Sequence, residues 1–313
     1  MGLIQLMQMA HTFKKSPRFV LMRSMARFRP IRHIVRTLRH YSQQNEWIAY
    51  KQNLITRLSE SLFSTVDLDA FVANLNHNGV AFGLTLPMSI VHDIISHTET
   101  TSCYADREPD RGFMASQRVI AERQLGKSIL VVQYFNSEKG CDTIKRLRND
   151  PFLLLVATEY LGSIPTHVGT NLWWTFPVNA TPEDRARHAH LFHYDLDDFA
   201  FFKFFFYLTN VDAGDGAHVC VSGSHLRPPV TRLYDHLLLR RWSDQKISEF
   251  YGDQNVLVID GVAGTGFAEN TLCMHKGNTP TLKPRLLLQF QFALFDYGKQ
   301  NDNMPLDRLR QIV

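Results

Sequence analysis

Residues 190–221, HLFHYDLDDFAFFKFFFYLTNVDAGDGAHVCV, decide the fold of this 313-residue chain. Their apolar runs are short, rich in aromatic and β-branched residues, and separated by turn-forming residues such as 212–216. This texture is typical of β-strands rather than helices. Because it continues from about residue 165 to residue 295, the second half of the chain predicts a β-core.

The same pattern predicts about eight strands in that half. They are 167–176, 190–196, 201–209, 217–221, 255–259, 265–268, 271–275 and 285–295. In the first half, apolar residues recur at helical spacing. Helices are predicted at 46–64, 67–78 (with Asp67 as N-cap), 89–98 (opened by Pro87), 115–125, 142–148 and 151–160, with a short strand at 79–82. The fold class is therefore α+β with a mainly β core, a β-sandwich or jelly-roll barrel flanked by N-terminal helices.

Charge divides the chain into two parts. Residues 1–45 contain nine basic and no acidic residues, whereas the remainder carries 25 basic and 30 acidic residues, a net charge of −5. No linker splits 46–313, so we predict one domain there, with a β-core at about 165–295 and a helical insertion at about 231–251. Residues 1–45 are predicted to be a basic extension outside it.

The basic extension has three interpretations that the sequence leaves open. It is a solvated arm packed on the body, a basic interfacial helix that contacts a membrane surface or an acidic partner, or a targeting segment. No apolar run reaches the ~18–20 residues that span a bilayer. Specific nucleic-acid binding is not expected, because the positive charge belongs to the extension alone. Four scattered cysteines predict reduced thiols and a cytoplasmic protein, peripheral at a membrane if the extension binds lipid.

His193-Tyr194-Asp195 is the sharpest chemical feature. On a strand, residues i and i+2 project from one face, so an imidazole and a carboxylate would lie side by side. A further histidine, for which His275 is the candidate, would complete the two-histidine, one-carboxylate set that holds Fe(II) with open positions. A surface histidine beside a solvated aspartate is the alternative. His188 and His190 lie close in sequence, and neither is assigned a metal role.

Arg285 opens the predicted strand 285–295, which is otherwise apolar apart from two glutamines. An arginine in such a strand is costly unless it meets an anion. Its planar fork suits a carboxylate. The alternative is a structural salt bridge to an internal acid.

These landmarks occur in the order of a known family. His193-x-Asp195, then residues 207–225 (YLTNVDAGDGAHVCVSGSH), then His275 and Arg285, resemble the phytanoyl-CoA dioxygenase-like family. Residues 67–96 resemble its opening helix, strand and helix. The resemblance implies an Fe(II)- and 2-oxoglutarate-dependent dioxygenase on a double-stranded β-helix, a cupin-like jelly roll.

The resemblance also implies residue roles. His193, Asp195 and His275 would hold Fe(II), Arg285 would bind the distal carboxylate of the co-substrate 2-oxoglutarate, and O₂ would take the last position. Asn171 and Trp173 stand where relatives place co-substrate contacts, although core packing is the alternative for Trp173. Gly277 departs from the family, whose members often have serine or threonine there; Asn278 or Thr279 could substitute.

The predicted reaction hydroxylates a small metabolite or a lipid- or carrier-linked substrate, with release of succinate and CO₂. Asp195 favours this outcome, because relatives that halogenate have a small residue at its position. Two alternatives stay open. One is a non-catalytic jelly roll that only binds iron or 2-oxoglutarate, and the other is a cupin-like metalloenzyme that does not use 2-oxoglutarate. The oligomeric state is not predicted.

Overall fold

The computed structural model describes residues 16–227, 241–298 and 302–313. Within these ranges, eleven helices alternate with eleven strands. The helices are α1 (Pro17–Met25), α2 (Arg29–Ser42), α3 (Gln44–Thr56), α4 (Leu68–Asn78), α5 (Met88–Thr100), α6 (Arg118–Leu125), α7 (Ser137–Gly140), α8 (Asp142–Arg148), α9 (Pro151–Leu161), α10 (Pro182–Arg187) and α11 (Asp244–Tyr251). The strands are β1 (Val80–Thr85), β2 (Cys103–Ala105), β3 (Gly112–Phe113), β4 (Val131–Tyr134), β5 (Thr166–Thr175), β6 (Phe201–Tyr207), β7 (His218–Val221), β8 (Val256–Ile259), β9 (Thr265–Glu269), β10 (His275–Gly277) and β11 (Arg285–Ala293).

Two antiparallel sheets form the core. The larger has eight strands in the order β1-β9-β6-β11-β5-β4-β2-β3, and the smaller has three in the order β10-β7-β8. The predicted α+β class with a mainly β core is thus present as a large antiparallel sheet with helices. Local chemistry explains the helix starts. The Asp67 carboxylate accepts the backbone N–H of Ala70 and begins α4, and Asp150 accepts the N–H groups of Phe152 and Leu153 at the start of α9.

Alternation along β6 places the site between the sheets. Phe202, Phe204 and Phe206 belong to the main core, which also contains α4 and α9. The residues between them point the other way, and Phe205 packs against His218 of the smaller sheet with ring centroids 5.0 Å apart. The sequence FFKFFFY therefore carries an apolar wall on one face and places Lys203 on the face that looks toward the smaller sheet.

Two predicted strands are wrong in detail. Residues 190–196 form no regular strand; the segment makes isolated bridges, Phe192 with Trp242 and His193 with His275. Residues 271–274 form a turn, and β10 begins only at His275. Local turn hydrogen bonds, such as Cys273 N–H to the Asn270 carbonyl, take the backbone groups that a strand would share with a neighbour.

The described part of the basic extension packs on the body. Met22 and Ala26 of the first helical region are buried in a cluster with Leu196 and Phe201. Arg36 donates to the carbonyls of Tyr160 and Leu161 at the end of α9. The predicted helical insertion at 231–251 lies partly outside the described residues; its second half contains α11. No helix in the described ranges is long and apolar enough to cross a membrane.

Candidate metal centre and adjoining cavity

His193 and His275 are held together by their own backbones. Each donates its N–H to the other's carbonyl, at N–O distances of 3.0 and 2.8 Å. The Asp195 N–H donates to the Thr271 carbonyl at 2.8 Å. Although no regular strand forms at 190–196, this pairing fixes the three predicted ligand positions against one another.

Their side-chain donor atoms converge. One ligand atom from each of His193, Asp195 and His275 lies within 4.8 Å of the other two. The Nε2 atoms of His193 and His275 are 3.7 and 3.6 Å from the two carboxylate oxygens of Asp195. Two imidazoles and one carboxylate on one side of a site leave further positions free for other ligands, which is the donor set that suits Fe(II) in oxygen-dependent enzymes.

Each imidazole is oriented by a backbone carbonyl. The Nδ1 atom of His193 lies 3.0 Å from the Leu191 carbonyl oxygen, and that of His275 lies 2.9 Å from the Cys273 carbonyl oxygen. A carbonyl accepts only, so Nδ1 carries the proton and Nε2 presents its lone pair to the centre. Burial, and next the charge of His275, lower the pKa of His193 well below its ordinary value. The ring is therefore neutral, as a metal ligand must be.

Lys203 holds the carboxylate. Its Nζ lies 2.6 Å from Asp195 Oδ2 and 3.6 Å from Asp197 Oδ2. Burial alone would raise the pKa of Asp195, but the adjacent charge of Lys203 lowers it well below the usual range. Gln291 donates to Asp197 Oδ2 at 3.0 Å. The Asp195 side chain is thus ionised and fixed, with Oδ1 toward His193 and Oδ2 shared between Lys203 and the side facing His275.

A cavity of about 240 Å³ extends from this centre and contains all six predicted site residues: His193, Asp195, His275, Arg285, Asn171 and Trp173. Arg285 is 2% exposed and donates to the Gly216 carbonyl, and its Nε has no partner among the described residues. A β-carbon on Gly277 would stand 3.4 Å from the Arg285 Nη2 atom, so the guanidinium lies beside that residue. Within the described ranges, no carboxylate forms an ion pair with Arg285.

The side walls are polar. The Asn171 side-chain oxygen accepts from Gln133 Nε2 at 3.1 Å, and Gln289 opposite it on β11 also lines the cavity. Trp173 is 8% exposed, so it serves both the core and the wall. His190 also lines this cavity, and its Nδ1 lies 2.9 Å from the hydroxyl oxygen of Thr279. Thr279 therefore contacts His190, and the His190 ring lies beside Gly277.

Sequence reasoning missed two cations of the cavity, Lys203 and Arg107. Lys203 left a signal, because a single charge inside the otherwise apolar β6 must have a buried partner. Arg107 left none, because it lies in the β2–β3 loop, which is remote in sequence from every other site residue.

No family model and no curated protein matches the sequence. Solved structures do match. HygX from Streptomyces hygroscopicus, with nickel and 2-oxoglutarate bound, is 16% identical; the match covers 77% of this chain and 93% of HygX with a TM-score of 0.51. The HygX structure that also contains hygromycin B gives a TM-score of 0.50 at the same identity and coverage. AviO1 from Streptomyces viridochromogenes Tue57 is 12% identical, with 72% of this chain and 95% of AviO1 covered and a TM-score of 0.47.

At these identities the likeness to HygX establishes a shared fold, consistent with the predicted cupin-like architecture. It assigns no role to an individual residue, so the roles given to the six predicted residues remain predictions.

Proposed function

We propose that the protein is an Fe(II)- and 2-oxoglutarate-dependent oxygenase that hydroxylates a small-molecule or carrier-linked substrate. The observation that carries the proposal is one cavity with a two-histidine, one-carboxylate centre on one side and the buried Arg285 on the other. Arg285 lies beside Gly277, two residues after His275 on β10, and has no carboxylate partner among the described residues. HygX, which shares the fold, was crystallised with nickel and 2-oxoglutarate. Both facts support Fe(II), 2-oxoglutarate and O₂ as the reactants that the site takes.

The spacing of the two ends suits a five-carbon diacid. Gly277 follows His275 by two residues on β10, and the Arg285 guanidinium lies beside Gly277. A two-residue step along a strand is about 7 Å, which is comparable to the distance from the keto-acid end of 2-oxoglutarate to its distal carboxylate. Arg285 would form a bidentate pair with that distal carboxylate. Asn171 and Gln289 would donate to oxygen atoms along the molecule between the two ends.

His193, Asp195 and His275 would hold the iron. When bound, Fe(II) supplies activation of O₂, so that 2-oxoglutarate, O₂ and a substrate C–H yield succinate, CO₂ and a C–OH. One oxygen atom of O₂ enters succinate and the other forms the hydroxyl, so no further reductant is required. Lys203 keeps Asp195 ionised, and the carbonyls of Leu191 and Cys273 keep both imidazoles in the ligating tautomer. The presence of Asp195 favours hydroxylation over halogenation.

We further propose that the two sheets form the double-stranded β-helix of the phytanoyl-CoA dioxygenase-like family. The eight-stranded and three-stranded sheets that face each other across the cavity support this assignment, as do the family-ordered residues from His193 to Arg285.

The test is a visible charge-transfer band on anaerobic addition of Fe(II) and 2-oxoglutarate to the purified protein. We expect the band in the wild type and its loss in His275→Ala. The matched control is His77→Ala, which removes an exposed histidine of α4 and should leave the band unchanged. Arg285→Gln should raise the 2-oxoglutarate concentration needed for half-saturation while leaving Fe(II) binding intact. A folded wild type without the band would overturn the proposed function.

A further inference from the structure

Arg107 is a second unpaired guanidinium in the cavity, and the mechanism above does not use it. Its Nε is buried without a hydrogen-bond partner, and no described carboxylate forms an ion pair with the side chain. Its guanidinium carbon lies 5.4 Å from the centroid of the Trp173 ring. Burial lowers the pKa of Arg107 to about 10, so the group is still charged at neutral pH.

The backbone holds this side chain in place at a conformational cost. Asp106 and Arg107 have φ angles of +56° and +64°, a region that is unfavourable for residues with a β-carbon. The Asp106 carboxylate pairs with Arg111 at 3.0 Å and Lys127 at 3.2 Å, and His188 lies 3.5 Å away, so these groups and not Arg107 are its partners. The turn is therefore fixed by its first residue, and the second projects its cation into the cavity.

The lining of the cavity carries one more positive than negative formal charge. Its formally charged lining residues are three cations, Arg107, Lys203 and Arg285, and two carboxylates, Asp195 and Asp197. Burial is the main cause that lowers the pKa of His190, and the nearby Arg285, His188 and Arg107 lower it further. This ring is therefore neutral and adds no charge to the cavity. Lys203 lies beside both carboxylates. In the proposed function, the two charges of Fe(II) cancel the two of 2-oxoglutarate, and one positive charge remains uncompensated.

We propose that Arg107 binds an anionic group of the prime substrate, a carboxylate or a phosphate, and that Trp173 forms the wall against which the guanidinium lies. This inference rests on the proposed function and specifies its substrate class. A guanidinium can donate two parallel N–H bonds to a carboxylate or a phosphate, whereas a neutral substrate would leave this half-buried charge without a counter-ion. Arg107 is thus a specificity-determining residue, distinct from Arg285.

The experiment uses the full chain loaded anaerobically with Fe(II) and 2-oxoglutarate, and three probes of matched size: butyrate, butyl phosphate and butyramide. Binding is followed through the perturbation of the charge-transfer band and by calorimetry. We expect at least one of the two anions to bind and butyramide not to bind. Arg107→Gln should weaken the anion by at least about tenfold, the loss expected for one charge-assisted pair. The 2-oxoglutarate concentration that half-saturates Arg107→Gln should equal that of the wild type.

Arg123→Gln, in the exposed part of α6, is the matched control and should behave as the wild type. If Arg107→Gln does not fold, Arg107→Lys retains the charge without the fork and should still weaken anion binding. Equal anion affinity in the folded variant, or no anion binding by the wild type, would overturn the inference. Loss of 2-oxoglutarate binding in Arg107→Gln would assign the residue to the co-substrate and also overturn it. Absence of the band in the wild type indicates failure of the proposed function instead.

Discussion

The cavity and the N-terminal helices use arginine in opposite ways. In the cavity, Arg285 is buried and Arg107 is half-buried, and neither forms an ion pair with a carboxylate of the described residues, so their charges remain available to a ligand. In α2, Arg36 and His40 also point inward, but they form hydrogen bonds with backbone carbonyls at the end of α9. The outer surface of α2 is left to apolar side chains: Ile34, Leu38 and Tyr41 are 55%, 63% and 67% exposed.

This contrast shows that basic composition does not predict an anion-binding surface. The spacing of Ile34, Leu38 and Tyr41 places them on one face of α2, about 180° from Arg36. Positive charges at that inner face satisfy the negative end of the α9 dipole. The contact of residues 1–45 with a membrane or an acidic partner remains a prediction. Among the described residues, the apolar face of α2 and the exposed Arg18 and Arg29 are available for it.

The largest expected effect concerns the buried cation at the metal centre. Lys203→Met would leave Asp195 and Asp197 close together without a counter-charge. We expect a loss of about 3–5 kcal/mol in the free energy of unfolding of the apoprotein. A divalent metal such as Ni(II) should restore part of this loss, because it supplies the missing positive charge. Denaturant unfolding with and without Ni(II) measures both effects.

Lys51→Met in the N-terminal region is the matched comparison. Lys51 pairs with Glu159 at 2.6 Å, but both side chains are partly exposed. Removal of the Lys51 charge should lower the free energy of unfolding by less than about 1 kcal/mol, and Ni(II) should not change this loss. Similar losses in the two variants would contradict the contrast between the regions.

Asp106→Asn tests the turn that carries Arg107. Burial alone would raise the pKa of Asp106, but hydrogen bonds from His188 and Lys127 and the Lys127 charge lower it to about 2. An acid whose folded-state pKa is depressed stabilises the fold above its unfolded pKa and loses that contribution as the pH falls. The free energy of unfolding of the wild type should therefore exceed that of Asp106→Asn by about 2 kcal/mol at pH 7. The difference should shrink between pH 4 and pH 2 and is measured by urea unfolding across that range; a constant difference would show that the charge is not responsible.

Arg36→Met should cost about 1 kcal/mol, since it leaves the Tyr160 and Leu161 carbonyls without their donor. Unlike the cavity variants, it should not change the 2-oxoglutarate concentration needed for half-saturation. A change in that concentration would place α2 in the wall of the active site.

Leu38→Ser should have the smallest effect, within about 0.5 kcal/mol, because the side chain is already largely in water. Thermal unfolding of the apoprotein checks this value. A loss of several kcal/mol would mean that another part of the chain covers the apolar face of α2.

The sequence was most informative where chemistry constrains residue type. The set His193, Asp195, His275 and Arg285 was identified from its motif order, and these residues do meet in one cavity. The expected strand geometry did not bring them together; the backbone pairing of His193 with His275 did. Strands β2, β3 and β4 were not predicted, because they are two to four residues long and buried on both faces, so they show no alternation. Arg107 depends on those strands and could not be placed without them.

Strand β3 is the last strand of the larger sheet, and an open strand edge can recruit another chain. Residues 310–312 cover this one. Gly112 donates to the Arg310 carbonyl at 2.8 Å and accepts from the Ile312 N–H at 2.7 Å, and a β-carbon on Gly112 would come within 2.7 Å of that same carbonyl. The Arg310 N–H also donates to Pro109 in the Arg107 loop. Proteolytic trimming of these residues would therefore do two things at once: expose a self-association edge and release the loop that presents a cation to the substrate.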